Sequence, residues 1–165
     1  MNIVFMGTSD FAVPSLNSLI KSGHRVVGVI SQPDRPRGRG KKIHPTPIKS
    51  VAQEHGIPIN QPHKIKAVPA IEQVKVWQPE LIVVVSYGQI IPRAILEYPR
   101  LGCINVHASL LPYYRGAAPI QRALMNGESI SGVTTMFMDE GLDTGDIILQ
   151  LPITIEDDYD HGYLE

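Results

Sequence analysis

The 165-residue chain has one cysteine, one tryptophan and three phenylalanines. A single cysteine excludes an internal disulfide, and without a second cysteine or a suitably spaced histidine it forms no zinc site. Cys103 is therefore expected as a buried structural thiol, and no metal is expected. A reducing cytoplasm is the natural compartment. Long apolar runs are missing too. The longest, such as Leu81 to Val85, fall far short of the ~20 residues that a spanning helix needs. The chain opens on the strand-like Asn2-Ile3-Val4-Phe5-Met6 rather than on a basic stretch and a cleavage site, so no secretory signal is expected. No internal repeat or low-complexity tract is present. The first apolar run leads into Gly7-Thr8-Ser9-Asp10-Phe11, which lacks the G-x-G-x-x-G fingerprint of dinucleotide binding. What remains is a globular composition, 43% hydrophobic, at a length that fits one domain with a proper core.

A charge excess is also lacking overall, since the net charge is −1, but the charge is unevenly placed. Between Asp34 and Lys49 six cations (Arg35, Arg37, Arg39, Lys41, Lys42 and Lys49) face one acid. That window carries +5 and the rest of the chain therefore −6. Such asymmetry points to one local anionic partner, with a merely solvated face as the alternative.

The periodicity predicts an α/β fold. Ile3 to Met6, Val26 to Ile30 and Leu81 to Val85 are unbroken apolar runs, the pattern of parallel strands buried on both faces. Ile57 to Asn60 is a weaker strand whose proline suits an edge. Helices are expected from the Thr8-Ser9-Asp10 cap candidates to about Ser22, and from Thr46-Pro47 to Glu54. Others are expected over Val68 to Val76, Pro92 to Glu97 and Ala118 to Met125. Gln32 to Pro45 reads as an irregular polar loop. Strands are expected at Cys103 to Val106, Val133 to Met138 and Ile147 to Leu151, the last two adding antiparallel character. Glu156 to Asp160 reads as the approach to a further helix. Strands alternating with helices give a doubly wound, mostly parallel, Rossmann-like sheet.

The chemistry concentrates in two segments. In Gly102-Cys103-Ile104-Asn105-Val106-His107, an amide and an imidazole stand two residues apart near a strand end. Residues i and i+2 share a face with Cα atoms about 6.5 Å apart, so both side chains can flank one small group. Asn105 can donate to a developing oxyanion, and His107 can move a proton or add charge. Some thirty residues later, Asp139-Glu140-Gly141-Leu142-Asp143-Thr144-Gly145 offers a carboxylate in a tight glycine-flanked loop. There Asp143 could fix the tautomer of His107. An amide, an imidazole and a carboxylate at one point suit acyl transfer; the plainer alternative is a satisfied core histidine.

Asn105-Val106-His107-Ala108-Ser109-Leu110-Leu111-Pro112-Tyr113-Tyr114-Arg115-Gly116-Ala117-Ala118-Pro119-Ile120-Gln121, with the Asp143 loop, closely resembles the 10-formyltetrahydrofolate-dependent formyltransferases. The resemblance runs along essentially the whole chain from Met6-Gly7-Thr8-Ser9-Asp10-Phe11. Arg115 to Gln121 and the basic segment narrow it to the branch that formylates initiator methionyl-tRNA. It implies that the α-amino group of the aminoacyl-tRNA attacks the formyl carbon of 10-formyltetrahydrofolate. Asn105 and His107 would stabilise the tetrahedral intermediate, and Asp143 would hold His107 and assist proton transfer. Ser109, Leu110, Leu111 and Pro112 would contact the folate, with Val84, Val85, Tyr87, Gly88 and Ile90 as pocket wall and a cis Leu111-Pro112 peptide. Arg35, Arg37, Arg39, Lys41 and Lys42 would contact tRNA phosphates, Arg39 foremost. The resemblance further implies a monomer whose residues 1–165 are the catalytic domain, cut short at its C-terminal end. The β-barrel domain that helps hold tRNA would lie outside this chain. Two alternatives stand beside this reading. One is a relative acting on a small amine, glycinamide ribonucleotide or an amino-sugar nucleotide; the other is a non-catalytic RNA-binding α/β module.

Overall fold

The computed structural model describes residues 1–37, 42–156 and 158–165. The chain divides into two compact units, residues 1–103 and 104–165.

The first unit runs β1 (Asn2–Gly7), a 3-10 turn (Asp10–Ala12), α1 (Val13–Lys21), β2 (Arg25–Ile30), β3 (Arg35–Arg37) and β4 (Lys42–His44). It continues through α2 (Pro47–Glu54), β5 (Ile59–Asn60), α3 (Val68–Val76), β6 (Leu81–Val85) and α4 (Arg93–Leu96). β5, β2, β1 and β6 lie side by side in that order, every pairing parallel. The unbroken apolar runs have the predicted cause. Ile3, Val4, Phe5, Met6, Val29, Ile30, Ile82 and Val85 are all fully buried, covered by side chains such as Leu16, Ile48, Val74 and Ile95 from the helices. Each such side chain is worth about 1.5–3 kcal/mol of burial. At Gly28 the strand must pass beneath Trp77: an added Cβ would fall 2.4 Å from the indole.

Three local differences from the sequence reading have physical reasons. Thr8 and Ser9 do not cap α1; Thr8 Oγ1 donates to the Tyr87 carbonyl (2.9 Å) and Ser9 Oγ to Ser86 Oγ (2.8 Å). These bonds tie the carboxyl end of β1 to that of β6, where the strand order reverses and parallel sheets open their ligand crevice. The helix instead begins at Val13 with Pro14 in its first turn. Second, the segment expected as an irregular loop holds a short antiparallel hairpin, Arg35 opposite His44 and Pro36 opposite Ile43. Third, the weak strand shrinks to Ile59–Asn60, beside β2 at the edge. The α2 cap is as expected: Thr46 Oγ1 accepts from Lys49 N–H (3.1 Å).

The second unit begins within β7 (Cys103–His107) and continues with α5 (Pro119–Met125), β8 (Ile130–Phe137), β9 (Ile147–Thr154) and α6 (His161–Leu164). β7, β8 and β9 pair antiparallel, with Asn105 opposite Met136 and His107 opposite Thr134. Both β8 and β9 exceed their predicted lengths. The β8–β9 connection closes only over glycine, since a Cβ at Gly145 would lie 2.0 Å from the Phe137 carbonyl oxygen. The acidic segment that was to lead into a helix does so at α6, where Asp160 accepts from Tyr163 N–H (2.9 Å). Cys103 is buried against the Ile95 and Leu96 carbonyls, and burial pushes its thiol up to about 12, as suits an inert structural residue. Among the described residues no helix is long and apolar enough to cross a membrane.

Candidate active site

Asn105 and His107 alternate with Val106 on β7 and therefore share one side of the strand. The loop between β8 and β9 brings Asp143 to them. Asn105 Nδ2 donates to Asp143 Oδ1 (3.3 Å), and His107 Nδ1 stands 3.6 Å from Asp143 Oδ2. Asp143 adopts a left-handed backbone (φ +52°), a conformation that Asp and Asn tolerate better than most residues. The loop around it is braced by Asp139 Oδ1, which accepts from Gly141 N–H (2.9 Å) and Thr144 Oγ1 (2.7 Å). Asp143 Oδ2 also accepts from Gly116 N–H at 2.7 Å. The His107 side chain is 8% exposed and that of Asp143 13%, so water screens the pair little.

The partner of the other ring nitrogen decides the tautomer of His107. Nε2 lies 3.0 Å from the carbonyl oxygen of Tyr114, which only accepts, so Nε2 carries a proton. A neutral ring then turns a bare Nδ1 toward the Asp143 carboxylate. Two acceptors 3.6 Å apart are stabilised by a proton between them: that of an imidazolium, a water or a substrate N–H. Asn105 spends one amide N–H on Asp143 and has a second for a ligand oxygen. The arrangement thus places an oxyanion donor beside a proton-transfer pair. Among the described residues no His, Cys, Asp and Glu grouping could hold a metal ion.

The Ser109-Leu110-Leu111-Pro112 segment follows directly and is tightly held. The Leu111-Pro112 peptide is cis. Ser109 Oγ donates to the Tyr113 carbonyl (2.6 Å), and the buried Thr134 hydroxyl donates to the Ser109 carbonyl (2.6 Å). That same hydroxyl accepts from Leu111 N–H (3.1 Å) and Gln150 Nε2 (3.0 Å), and Gln150 Nε2 also bonds the Leu111 carbonyl (2.8 Å). Leu111 is buried, and Leu110 lies over Gly132, where a Cβ would come within 2.6 Å of its Cδ2. Both leucines therefore serve the packing, whatever else they touch. The sequence reading names neither Thr134 nor Gln150: Thr134 stands beside Thr135 on a strand that also holds Ser131, and nothing in the pattern tells which hydroxyl is buried.

In the first unit, Val84 and Val85 close β6 and are buried, whereas Gly88 and Ile90 are exposed, Ile90 by 87%. Tyr87 is buried with its carbonyl taken by Thr8 and Gln32, and its hydroxyl has no partner among the described residues. Burial pushes that phenol up to about 12, so it stays a proton donor. Of the basic residues, Arg35 is exposed on the hairpin, and the backbones of Arg37 and Lys42 pair across it. Arg39 and Lys41 lie outside the described residues. Lys49 is engaged elsewhere, 2.5 Å from Asp34 Oδ2.

The chain matches the formyl transferase family over residues 1–165. It belongs to that family. A methionyl-tRNA formyltransferase from Syntrophomonas wolfei is 63% identical over 165 residues, covering all of this chain and 52% of the relative. One from Geobacter metallireducens is 56% identical over 160 residues, 97% of this chain and 51% of the relative. The chain thus spans about half the length of the curated formyltransferases it matches. Among solved structures, the phosphoribosylglycinamide formyltransferase of Bacillus halodurans superposes with a TM-score of 0.78 at 20% identity, covering 97% of this chain and 83% of that one. A glycinamide ribonucleotide transformylase from Geobacillus kaustophilus gives 0.73 at 26%, covering 96% and 85%. The formyltransferase fold, α/β and Rossmann-like, therefore extends over essentially the whole chain.

Proposed function

We propose that this chain carries the catalytic site that transfers the formyl group of 10-formyltetrahydrofolate to the α-amino group of methionyl initiator tRNA. The observation that carries the proposal is the convergence of Asn105 and His107 on Asp143 in a chain 63% identical to a methionyl-tRNA formyltransferase. The donor supplies a formyl carbon: a C–N bond forms to the amine, the bond to folate N10 breaks, and a proton lost by the amine ends on N10. Asn105 aims its free N–H at the formyl oxygen as negative charge develops there. His107 and Asp143 share the proton that the attacking nitrogen gives up, with the ring held in one tautomer by the Tyr114 carbonyl. The residues fit a folate donor in two respects. The bonded Ser109 to Pro112 loop follows His107 directly and leaves Pro112 exposed, and the buried Tyr87 hydroxyl is an unspent donor. Val84, Val85, Gly88 and Ile90 complete the proposed folate contacts.

Arg35, Arg37, Arg39, Lys41 and Lys42 take the tRNA phosphates in this proposal, supported by the +5 concentration of charge in their segment. Residues 1–165 are the catalytic portion of a monomeric cytoplasmic enzyme. The remaining length seen in the relatives contributes to holding tRNA. Acceptor choice is the test. Incubated with 10-formyltetrahydrofolate, the protein is expected to formylate methionyl-tRNA and to leave glycinamide ribonucleotide untouched. Formylation of the ribonucleotide alone would favour the small-amine reading, and no transfer to either with no folate binding would favour a non-catalytic RNA-binding module.

A further inference from the structure

Two backbone groups hold the catalytic pair from the same side. The Tyr114 carbonyl takes His107 Nε2–H (3.0 Å), and Gly116 N–H, two residues on, donates to Asp143 Oδ2 (2.7 Å). The strap of residues 114–116 therefore sets both the tautomer of the imidazole and the direction of the carboxylate. It is not in a relaxed conformation of its own. Tyr114 has φ +56° and Gly116 φ +87°; glycine accepts this freely, but a tyrosine does so only when its surroundings hold it there.

Those surroundings are specific. The Tyr114 hydroxyl donates to Glu128 Oε1 and accepts from Asn126 Nδ2 (2.9 Å). The Arg122 guanidinium stands over the ring, 5.3 Å from its centroid, and its Nη2 donates to the Arg115 carbonyl (3.1 Å). Arg122 is on α5, and Asn126 and Glu128 follow it directly. α5 thus grips the strap at two successive residues. The hydrogen bond to Glu128 also raises the phenol above its ordinary value, which keeps the proton in place for that bond.

We infer that Tyr114 is a positioning residue, whose ring, anchored by Glu128, Asn126 and Arg122, fixes the 114–116 strap and through it the tautomer of His107 and the aim of Asp143. The inference rests on the reading of His107 as part of the catalytic machinery. Tyr114 touches neither donor nor acceptor in this account. It acts through its own carbonyl.

The test uses Tyr114→Phe, Glu128→Ala and Glu128→Gln. The first removes the hydroxyl but keeps the ring beneath Arg122; the second removes its acceptor; the third restores an oxygen that can accept from the phenol. In the wild-type protein, 15N spectra of the neutral His107 ring should show the Nε2–H form. In Y114F and E128A the spectrum should shift toward a mixture of tautomers. Formyl transfer to methionyl-tRNA should fall about tenfold in kcat with KM little changed. E128Q should regain the wild-type spectrum and most of the turnover. Circular dichroism monitors the fold, and if Y114F is lost to misfolding, the exposed Glu128 pair still decides the matter. An unchanged His107 spectrum and unchanged kcat in Y114F and E128A would overturn the proposal. His107→Ala separates the two levels. If H107A retains full turnover, the catalytic reading itself fails; if H107A is inactive while Y114F and E128A behave as wild type, only the positioning role fails.

Discussion

Thr134 carries more of the site than its modest chemistry suggests. One fully buried hydroxyl donates to the Ser109 carbonyl and accepts from Leu111 N–H and Gln150, fixing the loop that follows His107. Replacing it by the nearly isosteric valine would strand a buried N–H and a buried carbonyl. Such orphaned groups cost roughly 1–3 kcal/mol. Thr134→Val is therefore expected to lower stability by about 2 kcal/mol in urea unfolding and to weaken folate binding; unchanged stability would mean that Gln150 holds the loop unaided. Legibility at this scale follows the chemistry. The meeting of Asn105, His107 and Asp143 was legible because strand spacing and a glycine-flanked turn leave side-chain signatures. The Tyr114 carbonyl and Gly116 N–H could not, because every residue has such groups and only the fold says which ones are used.

Among the elements, the basic hairpin shows how a segment that reads as loop gains a defined root. Prolines and glycines at Pro33, Pro36, Gly38, Gly40 and Pro45 masked two three-residue strands, too short for an alternating pattern to register. What sets them is the stem. Ser31 and Thr46 share a buried hydroxyl bond (2.7 Å), Lys49 reaches Asp34 (2.5 Å), and Gln61 Nε2 donates to Asp34 Oδ1 (2.6 Å) and to the Gln32 carbonyl (2.8 Å). The Gln61 bond first, and Lys49 second, hold the Asp34 carboxyl below its ordinary 3.8. A carboxyl lowered on folding contributes stability that is fully present above the unfolded value and is lost as pH falls through the folded one. Unfolding free energy measured from pH 6 downward should thus decline through the range just below 3.8, and more shallowly in Asp34→Asn. Identical slopes would show that the stem adds nothing to acid stability. The parallel strands, by contrast, were plain in the sequence, because burial on both faces leaves unbroken apolar runs.

Across the whole molecule, the near-zero net charge conceals the feature that bears on acceptor choice. The fold is shared with formyltransferases whose names give a small ribonucleotide as acceptor, at 20–26% identity. The cluster of Arg35, Arg37, Arg39, Lys41 and Lys42 is what supports the proposed tRNA acceptor. If these cations take phosphates, KM for methionyl-tRNA should rise steeply with salt, and Arg39→Ala should reduce the slope of log KM against log salt by about 1. A slope near zero in the wild type would remove the hairpin from tRNA binding while leaving the chemistry intact.

The central claim concerns that chemistry: Asn105, His107 and Asp143 together move a formyl group. Single-turnover transfer from 10-formyltetrahydrofolate to methionyl-tRNA by Asn105→Ala measures it most directly, with circular dichroism establishing that the fold is kept. Loss of an oxyanion donor predicts a rate lower by about 10²–10³ with folate binding nearly unchanged. A rate equal to that of the wild type would contradict the account.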